Sequence, residues 1–503
     1  MERTAIHRHK TAIRRGDFSR PVKHLLRDGL LSKDVTFFDY GCGRGEDLEL
    51  LTAEGFTCGG WDPAFRPDST KQVADIVNLG YVINVVEDPA ERAQTLNSAW
   101  SLCRQVLVVA AQVLVNGRGK NPVEFGDGVL TGRGTFQKFY EQGELKNYLE
   151  EHLQAEAIPA GIGVFYLFRD ESRLQQYQAG RFRRRFVPPR PRQTKRDFEQ
   201  HRELLDPFMD SVLGLGRLPE EEEFAGAADV IARFGSLKRA FALVQRETGT
   251  QAWEEAARRR REDLLVYLAL ARFRRRPPLS FLPATLQRDM RFFFGGYSKA
   301  CAEADALLFQ AGDAAAVDAA CRNSAVGKLL PDSLYVHHSA LDDLGALLRV
   351  YEGCARAYIG EIEGANLIKL HRQSGKISYL VYPDFESDPH PSLARSVKLS
   401  LRTREIDSYD YSASANPPIL HRKETFLHPE HPLFEKFAKL SRQEEKHELL
   451  TDTNTIGTLD GWNRRLEERG FLVRGHRLLR LKSRSESATI PEDTDSAQST
   501  SSS

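Results

Sequence analysis

The stretch Asp39-Tyr40-Gly41-Cys42-Gly43-Arg44-Gly45 decides the fold of the N-terminal part of this chain. The apolar run Val35 to Phe38 precedes it, and a helical pattern, Glu46 to Glu54, follows it. A buried strand that turns through glycines into a helix offers free backbone N–H groups and the positive end of the helix dipole to a ligand. The sequence therefore predicts a ligand-binding loop between a first strand and its helix.

The spacing of the glycines distinguishes between kinds of ligand. A dinucleotide fingerprint, G-x-G-x-x-G, that starts at Gly41 would have its third glycine where the chain has Glu46. The third glycine is instead Gly45, and Asp39 stands in front, so the pattern is D-x-G-x-G-x-G. This pattern resembles the first motif of class I S-adenosylmethionine-dependent methyltransferases. The resemblance implies S-adenosylmethionine as the cofactor, bound by Asp39, Gly41, Cys42, Gly43 and Gly45.

A second carboxylate follows the loop after one predicted helix and strand. Phe56 to Trp61 reads as a short strand, and Asp62 stands directly after it. Asp62 follows Asp39 by roughly the 20 residues at which such folds carry the acid that accepts hydrogen bonds from ribose hydroxyls. We therefore expect Asp62 to bind the ribose of the cofactor, with an ordinary turn residue as the alternative.

The remaining segments of residues 31–175 predict a doubly wound, Rossmann-like α/β domain. Two short runs near its end, Ala155 to Ile158 and Val164 to Phe168, read as an antiparallel hairpin that closes the sheet. The segment between Asp62 and Asp75 is too short for a third strand with its crossover helix. We therefore expect this part of the usual sheet to be shortened.

The segment Asn78-Leu79-Gly80-Tyr81 lies where amino methyltransferases carry the motif N-P-P-Y. Methyl transfer from a sulfonium requires the donor carbon and the acceptor atom to be close and aligned. An acceptor amine also needs a side chain that orients its lone pair. Asn78 and Tyr81 are the candidates for this catalytic role, and Asn78 is also a candidate cofactor contact. Because Leu79 and Gly80 replace the prolines, a structural strand end is the alternative.

A more literal copy of that motif, Asn416-Pro417-Pro418-Ile419, lies far outside the predicted domain. Ile419 has no aromatic face on which a flipped base would stack. The basic neighbours His421, Arg422 and Lys423 suggest contact with an anion, with a solvated turn as the alternative.

The composition is that of a globular protein with more than one core. The chain has 503 residues, of which 41% are hydrophobic and 28% charged, and we expect two or three domains. It contains neither a membrane-spanning run nor a secretory signal, so we expect a cytoplasmic protein without a membrane partner. Its six cysteines lack the spacing of a zinc site or a disulfide framework, so no metal is expected.

A basic connector is predicted over residues 176–196. The segment Arg181 to Arg196 has eight basic residues and no acidic one, and three prolines interrupt it. Such a segment suits the phosphate backbone of nucleic acid, and a solvated connector is the alternative. The candidate nucleic-acid contacts are Arg181, Arg183, Arg184, Arg185, Arg190, Arg192, Lys195 and Arg196.

Changes in composition and periodicity divide the chain into further regions. A basic, helical N-terminal arm is predicted over residues 1–30, and a glycine-rich loop over 116–134 is a candidate substrate lid. The parts that follow the connector are a helical module over 197–285, a C-terminal α+β domain over 286–484 and a disordered tail over 485–503.

Several separate stretches together resemble the methyltransferases associated with bacterial DNA phosphorothioation systems. The stretches are His9 to Ile13, Asp39 to Gly45, Gly60 to Pro63, Val77 to Val82, Gly134 to Lys138, Ser378 to Leu380, Tyr382 to Phe385, Asp388 to Pro391 and Asn416 to Glu424. The resemblance covers most of the chain except the tail. It implies a role in DNA modification or defence, with DNA and proteins of the phosphorothioation system as partners.

Two hypotheses about function follow, and a small-molecule methyltransferase is a third option that leaves the basic connector and the regions after it without a purpose. The first is an S-adenosylmethionine-dependent methyltransferase that acts on nucleic acid. The alternative is a non-catalytic DNA-binding or scaffold component that uses a methyltransferase-like fold, and the shortened sheet favours it.

Overall fold

The computed structural model describes residues 6–12, 14–114, 123–184 and 201–481. The chain divides into two compact units. Unit 1 comprises residues 1–381, 395–410 and 426–428, and unit 2 comprises residues 382–394, 411–425 and 429 onward. None of the described helices is long and apolar enough to cross a membrane.

The N-terminal part of unit 1 contains one large sheet and one small sheet. Their strands are β1 (Thr36–Tyr40), β2 (Thr57–Trp61), β3 (Ala74–Gly80), β4 (Cys103–Ala110), β5 (Val123–Phe125), β6 (Gly128–Leu130), β7 (Phe136–Gln137), β8 (Ala157–Gly161) and β9 (Val164–Phe168). The large sheet has the order β2-β1-β3-β4-β9-β8. The strands β1 to β4 are parallel, whereas β9 is antiparallel to both β4 and β8.

This strand order is Rossmann-like with one strand omitted. A complete sheet of that type has the order 3-2-1-4-5-6, and here β2 lies at the edge with no strand outside it among the described residues. The chain passes from β2 directly to β3 on the other side of β1. The predicted doubly wound fold, its shortened sheet and its closing hairpin are confirmed. The strand order reverses between β1 and β3, where such sheets bind ligands.

Helices cover both faces of the large sheet. They are α1 (Arg20–Arg27), α2 (Glu46–Ala53), α3 (Pro89–Leu102), α4 (Gln142–Leu153) and α5 (Glu171–Arg181). One core joins α3 and α4 to the sheet through residues such as Leu96 and Leu145. The other core joins α1, α2 and α5 to the opposite face through Val22, Leu51 and Leu174. These two cores hold the ends of β1 and β3 in place.

The loop predicted over residues 116–134 is partly a small sheet, β5-β6-β7, and residues 115–122 lie outside the described residues. Its hairpin turn is held by Asp127, which accepts hydrogen bonds from Arg92 Nη1 at 2.7 Å and from Nη2 at 3.0 Å. Arg92 is only 2% exposed. The second half of this segment is therefore fastened to α3.

The middle of the chain is helical, as expected, but the helices continue past residue 285. They are α6 (Arg202–Leu215), α7 (Ala227–Phe234), α8 (Leu237–Thr248), α9 (Gln251–Leu270), α10 (Ala284–Phe294), α11 (Tyr297–Ala311) and α12 (Ala314–Arg322). One core extends from Leu264 in α9 to Ile406, so the expected boundary at residue 285 does not separate two cores. The physical reason is that the apolar end of α9 is buried against the helices and strands that follow it.

An antiparallel sheet shares this core. Its strands are β10 (Lys328–Leu329), β11 (Ser333–His337), β12 (Leu367–His371), β13 (Lys376–Val381), β14 (Arg395–Ser400) and β15 (Ile406–Asp410), paired in chain order. The helix α13 (Ala346–Ile359) contributes Leu348, Val350 and Ala355 to the core.

Unit 2 has a small core of its own. Its regular elements are α14 (Phe434–Lys446), α15 (Leu459–Arg469), β16 (Phe471–Val473) and β17 (Leu478–Arg480). Its core contains Ile419, Leu449, Ile456 and Trp462. The stretches of chain that form unit 2 alternate in sequence with β14 and β15, which belong to unit 1.

Candidate functional site

The glycine loop lies at the carboxyl end of β1, at the point where the strand order reverses. β1 pairs with β3 so that Asp39 stands beside Asn78, and the loop then leads to α2. Gly43 has φ 55 and Gly45, the N-cap of α2, has φ 89. Both angles are in the left-handed region, where a residue with a Cβ is strained. The turn therefore requires glycine at these two positions.

The loop is bonded to the end of β2 through its own peptide groups. The N–H groups of Gly41 and Cys42 donate to the carbonyl oxygen of Trp61 at 2.7 and 3.1 Å. The N–H of Gly43 donates to Asp62 Oδ2 at 3.0 Å. These three N–H groups are therefore not free for a ligand, contrary to the expectation from sequence, because the adjacent strand end satisfies them.

Asp62 lies beside the loop, where a ribose-binding acid is expected. Its Oδ1 accepts hydrogen bonds from the N–H groups of Ala64 and Phe65, each at 2.9 Å. Its Oδ2, which accepts from Gly43, retains the capacity for a second donor. The carboxylate is thus held by the main chain in a fixed position.

Asp39 is a buried carboxyl group beneath the loop, and it is 4% exposed. Its Oδ1 accepts a hydrogen bond from Asn78 Nδ2 at 2.8 Å. Burial, together with the nearby charge of Asp47, raises the pKa of Asp39 to about 7, although the hydrogen bond from Asn78 opposes the shift. Near neutral pH this carboxyl is therefore balanced between its two protonation states.

The catalytic pair proposed from sequence does not share an open site. Asn78 is 2% exposed, its Nδ2 bonds to Asp39, and its Oδ1 has no partner among the described residues. Tyr81 follows β3 with φ 60, its N–H donates to the carbonyl of Ala110, and its ring packs against the core beside α1. The amide of Asn78 positions Asp39 in this structure, and no amine-binding arrangement with Tyr81 is formed.

Cys42 packs in the core against residues such as Leu48 and Leu51. Burial raises the pKa of its thiol to about 12, so the thiol is protonated near neutral pH. Cys42 therefore provides a small apolar side chain under the turn. Its protonated thiol is not a nucleophile.

The N-terminal arm lies over the glycine loop, which the sequence did not indicate. A Cβ placed on Gly43 would be 3.3 Å from the Cβ of Ala12. The N–H of His7 donates to the carbonyl of Gly134 at 3.0 Å. Arg8 donates to Glu87 at 2.8 Å and to both carboxylate oxygens of Glu91, and this hydrogen bond lowers the pKa of Glu87. The only signal in the sequence was the stretch that includes Ala12 in the family resemblance.

A second contact joins the residues after the arm to the first turn of α2. The carboxylate of Asp47, which is 3% exposed, accepts from the N–H of Ser19 at 2.7 Å and from Arg15 Nη2 at 3.3 Å. Asp47 therefore adds a third carboxylate to Asp39 and Asp62 around the loop. Because Asp47 is already paired with Arg15, the carboxylates without an arginine partner at the loop are Asp39 and Asp62.

A large hollow opens at the beginning of α2. Its volume is about 950 Å³. It is lined by Arg14, Arg15, Arg44, Glu46, Glu49, Phe65, Arg66, Pro67, Asp68 and Ser69. The guanidinium group of Arg66 occupies the space that a side chain at Gly45 would need. The hollow therefore adjoins the glycine loop and the segment that follows Asp62.

The described arginines of the basic connector are bonded within the protein. Arg184 is 5% exposed at its side chain and pairs with Asp263 at 2.5 Å and with Glu262 at 3.1 Å. Arg183 donates to the carbonyl of Gly214 at 2.8 Å, and Arg181 lies 3.6 Å from Glu361. Arg184, expected to contact nucleic acid, is therefore used to connect elements of unit 1. The remaining candidates, Arg185, Arg190, Arg192, Lys195 and Arg196, lie outside the described residues.

In unit 2, the literal copy of the amine-binding motif forms structural contacts. Asn416 Oδ1 accepts from the N–H of Asp460 at the start of α15, and the carbonyl of Pro418 accepts from the N–H of Leu393 at 2.8 Å. Ile419 lies in the core. These contacts explain the segment as packing within unit 2.

A buried polar cluster lies next to this segment. His390 Nε2 is 2.8 Å from Glu444 Oε1, without the geometry of a hydrogen bond, and the rings of His390, His421 and Trp462 are in mutual contact. Burial raises the pKa of Glu444 to about 7 and lowers that of His390 to about 3. Lys423, 2% exposed, lies over the ring of Phe437, and burial lowers its pKa to about 7.

Within the described ranges, no group of three or more His, Cys, Asp or Glu side chains is arranged to hold a metal ion. The described cysteines are all free thiols.

Comparisons with known proteins concern the N-terminal part of the chain. No family model and no curated protein matches the chain. It is similar to 1,6-didemethyltoxoflavin-N1-methyltransferase from Burkholderia thailandensis, solved with S-adenosylhomocysteine, at 13% identity over 30% of this chain and 77% of that chain, with a TM-score of 0.22.

Two further solved structures are similar over the same share of the chain. A SAM-dependent methyltransferase from Methanosarcina mazei is 14% identical over 30% of this chain and 96% of that chain, with a TM-score of 0.23. Magnesium protoporphyrin IX methyltransferase from Synechocystis, with bound SAH, is 14% identical over 30% of this chain and 80% of that chain, with a TM-score of 0.21. The strand order and the glycine loop by themselves define the Rossmann-like fold of the N-terminal part of the chain.

Proposed function

We propose that the chain is an S-adenosylmethionine-dependent methyltransferase that acts on nucleic acid. The observation that carries the proposal is the position of Asp62, whose carboxylate is bonded to Gly43 of the glycine loop beside the buried Asp39. This pair of carboxylates lies where the strand order of a doubly wound sheet reverses, which is the usual ligand crevice of such folds.

The residues present fit S-adenosylmethionine. The cofactor carries a sulfonium, an ammonium and a carboxylate group, and two carboxylates of the protein without an arginine partner, Asp39 and Asp62, lie at the loop. Asp62 would accept hydrogen bonds from the ribose hydroxyls, and the glycines admit a ligand close to the main chain. The cofactor supplies a methyl group that is activated by its positively charged sulfur.

This chain's own residues have limited tasks in such a reaction. Asp39, oriented by Asn78, places negative charge beneath the loop when it is ionised. The arm from His7 to Ala12 covers the loop and reduces its access to water. Aligning the acceptor and excluding water are the main contributions that an enzyme makes to a direct displacement at a methyl carbon.

The narrower proposal is that the methylated nucleic acid is DNA in a phosphorothioation or related modification system. Its support is the sequence resemblance over stretches that include Gly60 to Pro63 and Asn416 to Glu424. The same resemblance suggests proteins of that system as partners.

A non-catalytic DNA-binding or scaffold protein is the alternative. One observation favours it: the amide of Asn78 is enclosed and bonded to Asp39, so the expected amine-binding pair with Tyr81 is not formed. In this alternative the loop binds the cofactor as a signal, or only supports the fold.

Two measurements test the proposal. Calorimetric titration with S-adenosylhomocysteine tests the cofactor site, and wild-type protein is expected to bind while Asp62→Ala binds at least about tenfold more weakly. Asp34→Ala, an exposed acid before β1, is the matched control and should bind like wild type. An assay for transfer of a labelled methyl group to host DNA or RNA then distinguishes the two functions. Transfer supports the methyltransferase, whereas binding of cofactor and DNA without transfer supports the non-catalytic scaffold protein.

A further inference from the structure

Four arginine side chains meet in the hollow at the beginning of α2, and most of them lack an acidic partner. They are Arg14, Arg15, Arg44 and Arg66, and we call this region the arginine hollow. Arg15 lies 3.3 Å from Asp47. Among the described residues, the other three have no carboxylate oxygen within 4.0 Å. Their positive charge is therefore not neutralised by an ion pair.

Exposed arginines elsewhere in unit 1 show that exposure alone does not leave a guanidinium unpaired. The side chain of Arg258 is 57% exposed and pairs with Glu255 at 2.8 Å and with Glu262 at 2.5 Å. The side chain of Arg322 is 61% exposed and pairs with Asp318 at 2.8 Å. All three pairs are of the ordinary helical i,i+3 or i,i+4 kind.

Acidic residues also line the arginine hollow, but they do not pair with its arginines. Glu46, Glu49 and Asp68 form no ion pair in the part of the chain that the structure describes. Arg44 instead lies over the ring of Phe65 at 4.9 Å, and Arg66 lies against Gly45. These contacts restrict the guanidinium groups and leave their N–H groups available, which lowers the entropic cost of binding an anion.

We infer that the arginine hollow binds the phosphodiester groups of a nucleic-acid strand. This inference rests on the proposed function, since it locates the contact of the acceptor beside the cofactor loop. The planar fork of arginine matches two oxygens of a phosphate group. The described connector arginines are bonded to carbonyl and carboxylate groups within the protein, so they offer less charge to a nucleic acid.

The acidic residues of the hollow favour a diester over a free phosphate. A phosphodiester carries one negative charge, whereas a phosphate monoester carries close to two at pH 7. Glu46, Glu49 and Asp68 therefore repel a doubly charged phosphate monoester more strongly than a singly charged phosphodiester. Inorganic phosphate and nucleotide phosphates share the same chemistry and are distinguished in the experiment below.

The test compares two double variants of the full chain. Arg14→Gln with Arg66→Gln removes two unpaired charges that lie outside the glycine loop, and Arg258→Gln with Arg322→Gln removes two paired charges on exposed arginines. Binding of a labelled 20-nucleotide single strand is followed by fluorescence anisotropy at several salt concentrations, with tripolyphosphate as a competitor. Binding of S-adenosylhomocysteine is measured calorimetrically in parallel.

The first double variant should weaken strand binding at least about tenfold and reduce the slope of log affinity against log salt by about 1.4. The second should change affinity less than about twofold, and both should bind S-adenosylhomocysteine like wild type. The inference would be overturned if both variants lost the same strand affinity, or if the first variant lost only cofactor affinity. It would also be overturned if the wild-type protein did not bind the strand, or if it bound tripolyphosphate as tightly as the strand. If the strand bound through the arginine hollow but the wild-type protein did not bind S-adenosylhomocysteine, the inference would stand and the proposed function would be rejected.

Discussion

The N–H of Gly43 donates a hydrogen bond to Asp62 Oδ2 across 3.0 Å, and this bond connects the glycine loop to the end of the adjacent strand. The same carboxylate is held from its other side by the N–H groups of Ala64 and Phe65. Its position is therefore set by three main-chain donors, so that it can act on a ligand without first being ordered.

Replacing Asp62 by alanine should weaken the binding of the ligand and make the glycine loop more mobile. We expect Asp62→Ala to bind S-adenosylhomocysteine at least about tenfold more weakly, since hydrogen bonds to a charged group are worth about 1.5–3 kcal/mol. Hydrogen exchange at Gly43 should become faster, because its acceptor is removed. An unchanged affinity would show that the ribose lies elsewhere.

Cofactor affinity should depend on pH through Asp39. Burial raises the pKa of Asp39 to about 7. The sulfonium favours the ionised carboxylate, so affinity should rise with pH up to about 7 and fall below it by at most about tenfold per pH unit. In Asp39→Asn this dependence should be absent. Calorimetric titration from pH 5.5 to 8.5 with S-adenosylmethionine, which carries the sulfonium that S-adenosylhomocysteine lacks, checks the prediction, and identical profiles for both proteins would contradict it.

The same shift predicts an effect on the stability of unit 1. The folded state retains the proton of Asp39 longer than the unfolded chain, so stability falls as pH rises from about 4 to 7. Asp39→Asn removes this loss. The thermal unfolding temperature of the variant relative to wild type should therefore increase across this interval and stay constant above it, as measured by scanning calorimetry.

The ion pairs of Arg8 should restrain the N-terminal arm. Their side chains are 25–46% exposed, so Arg8→Ala should cost no more than about 1 kcal/mol of global stability. Hydrogen exchange of the arm, and in particular of the N–H of His7, should nevertheless become faster. Arg104→Ala, an exposed arginine at the start of β4, serves as the control and should leave exchange in the arm unchanged.

Asp289 connects two buried arginines of the helical region. It is 0% exposed, and its carboxylate accepts from Arg217 at 2.7 Å and from Arg260 at 2.6 Å. Asp289→Ala leaves two buried cations without this partner and should destabilise the fold by about 3–5 kcal/mol. Asp229→Ala, an exposed acid on α7, should change stability by less than about 0.5 kcal/mol. Chemical denaturation of both variants measures the difference.

In unit 2, Glu444 should make stability depend on pH. Its folded pKa of about 7 lies above the ordinary 4.5, so the folded state loses stability as pH rises through this range. The full loss, on the order of 3 kcal/mol, is present above pH 7. The free energy of unfolding of Glu444→Gln should therefore exceed that of the wild-type protein by more at pH 8 than at pH 5. Hydrogen exchange within α14 at both pH values provides the readout, and an equal gain would contradict the prediction.

The fold of the N-terminal domain was predictable because its signals are local. The glycine turn, the acid after β2 and the short interval before β3 each follow from a few adjacent residues. The catalytic pair was not predictable, since the direction of the Asn78 amide depends on Asp39 in the adjacent strand. The cover provided by Ala12 likewise depends on a contact that periodicity does not report.

Charge patterns were the least informative part of the sequence. Arg184 lies in a strongly basic run, yet its guanidinium is enclosed by Asp263 and Glu262, which are distant in sequence. Arg14 and Arg44 lie in less basic surroundings and remain unpaired in the described structure. A count of basic residues therefore does not show which charges stay available, because pairing is decided by tertiary contacts.

The alternation of unit 2 with β14 and β15 along the chain affects how the protein is made. The residues 382–394 and 411–425 leave the ribosome before Leu449 and Trp462, the core residues against which this unit is built. Ile419 consequently stays without its apolar neighbours until residues 449–466 have been synthesised. A chain that terminates near residue 430 would expose these early segments, and chaperones or proteases of the cell are expected to act on such a product.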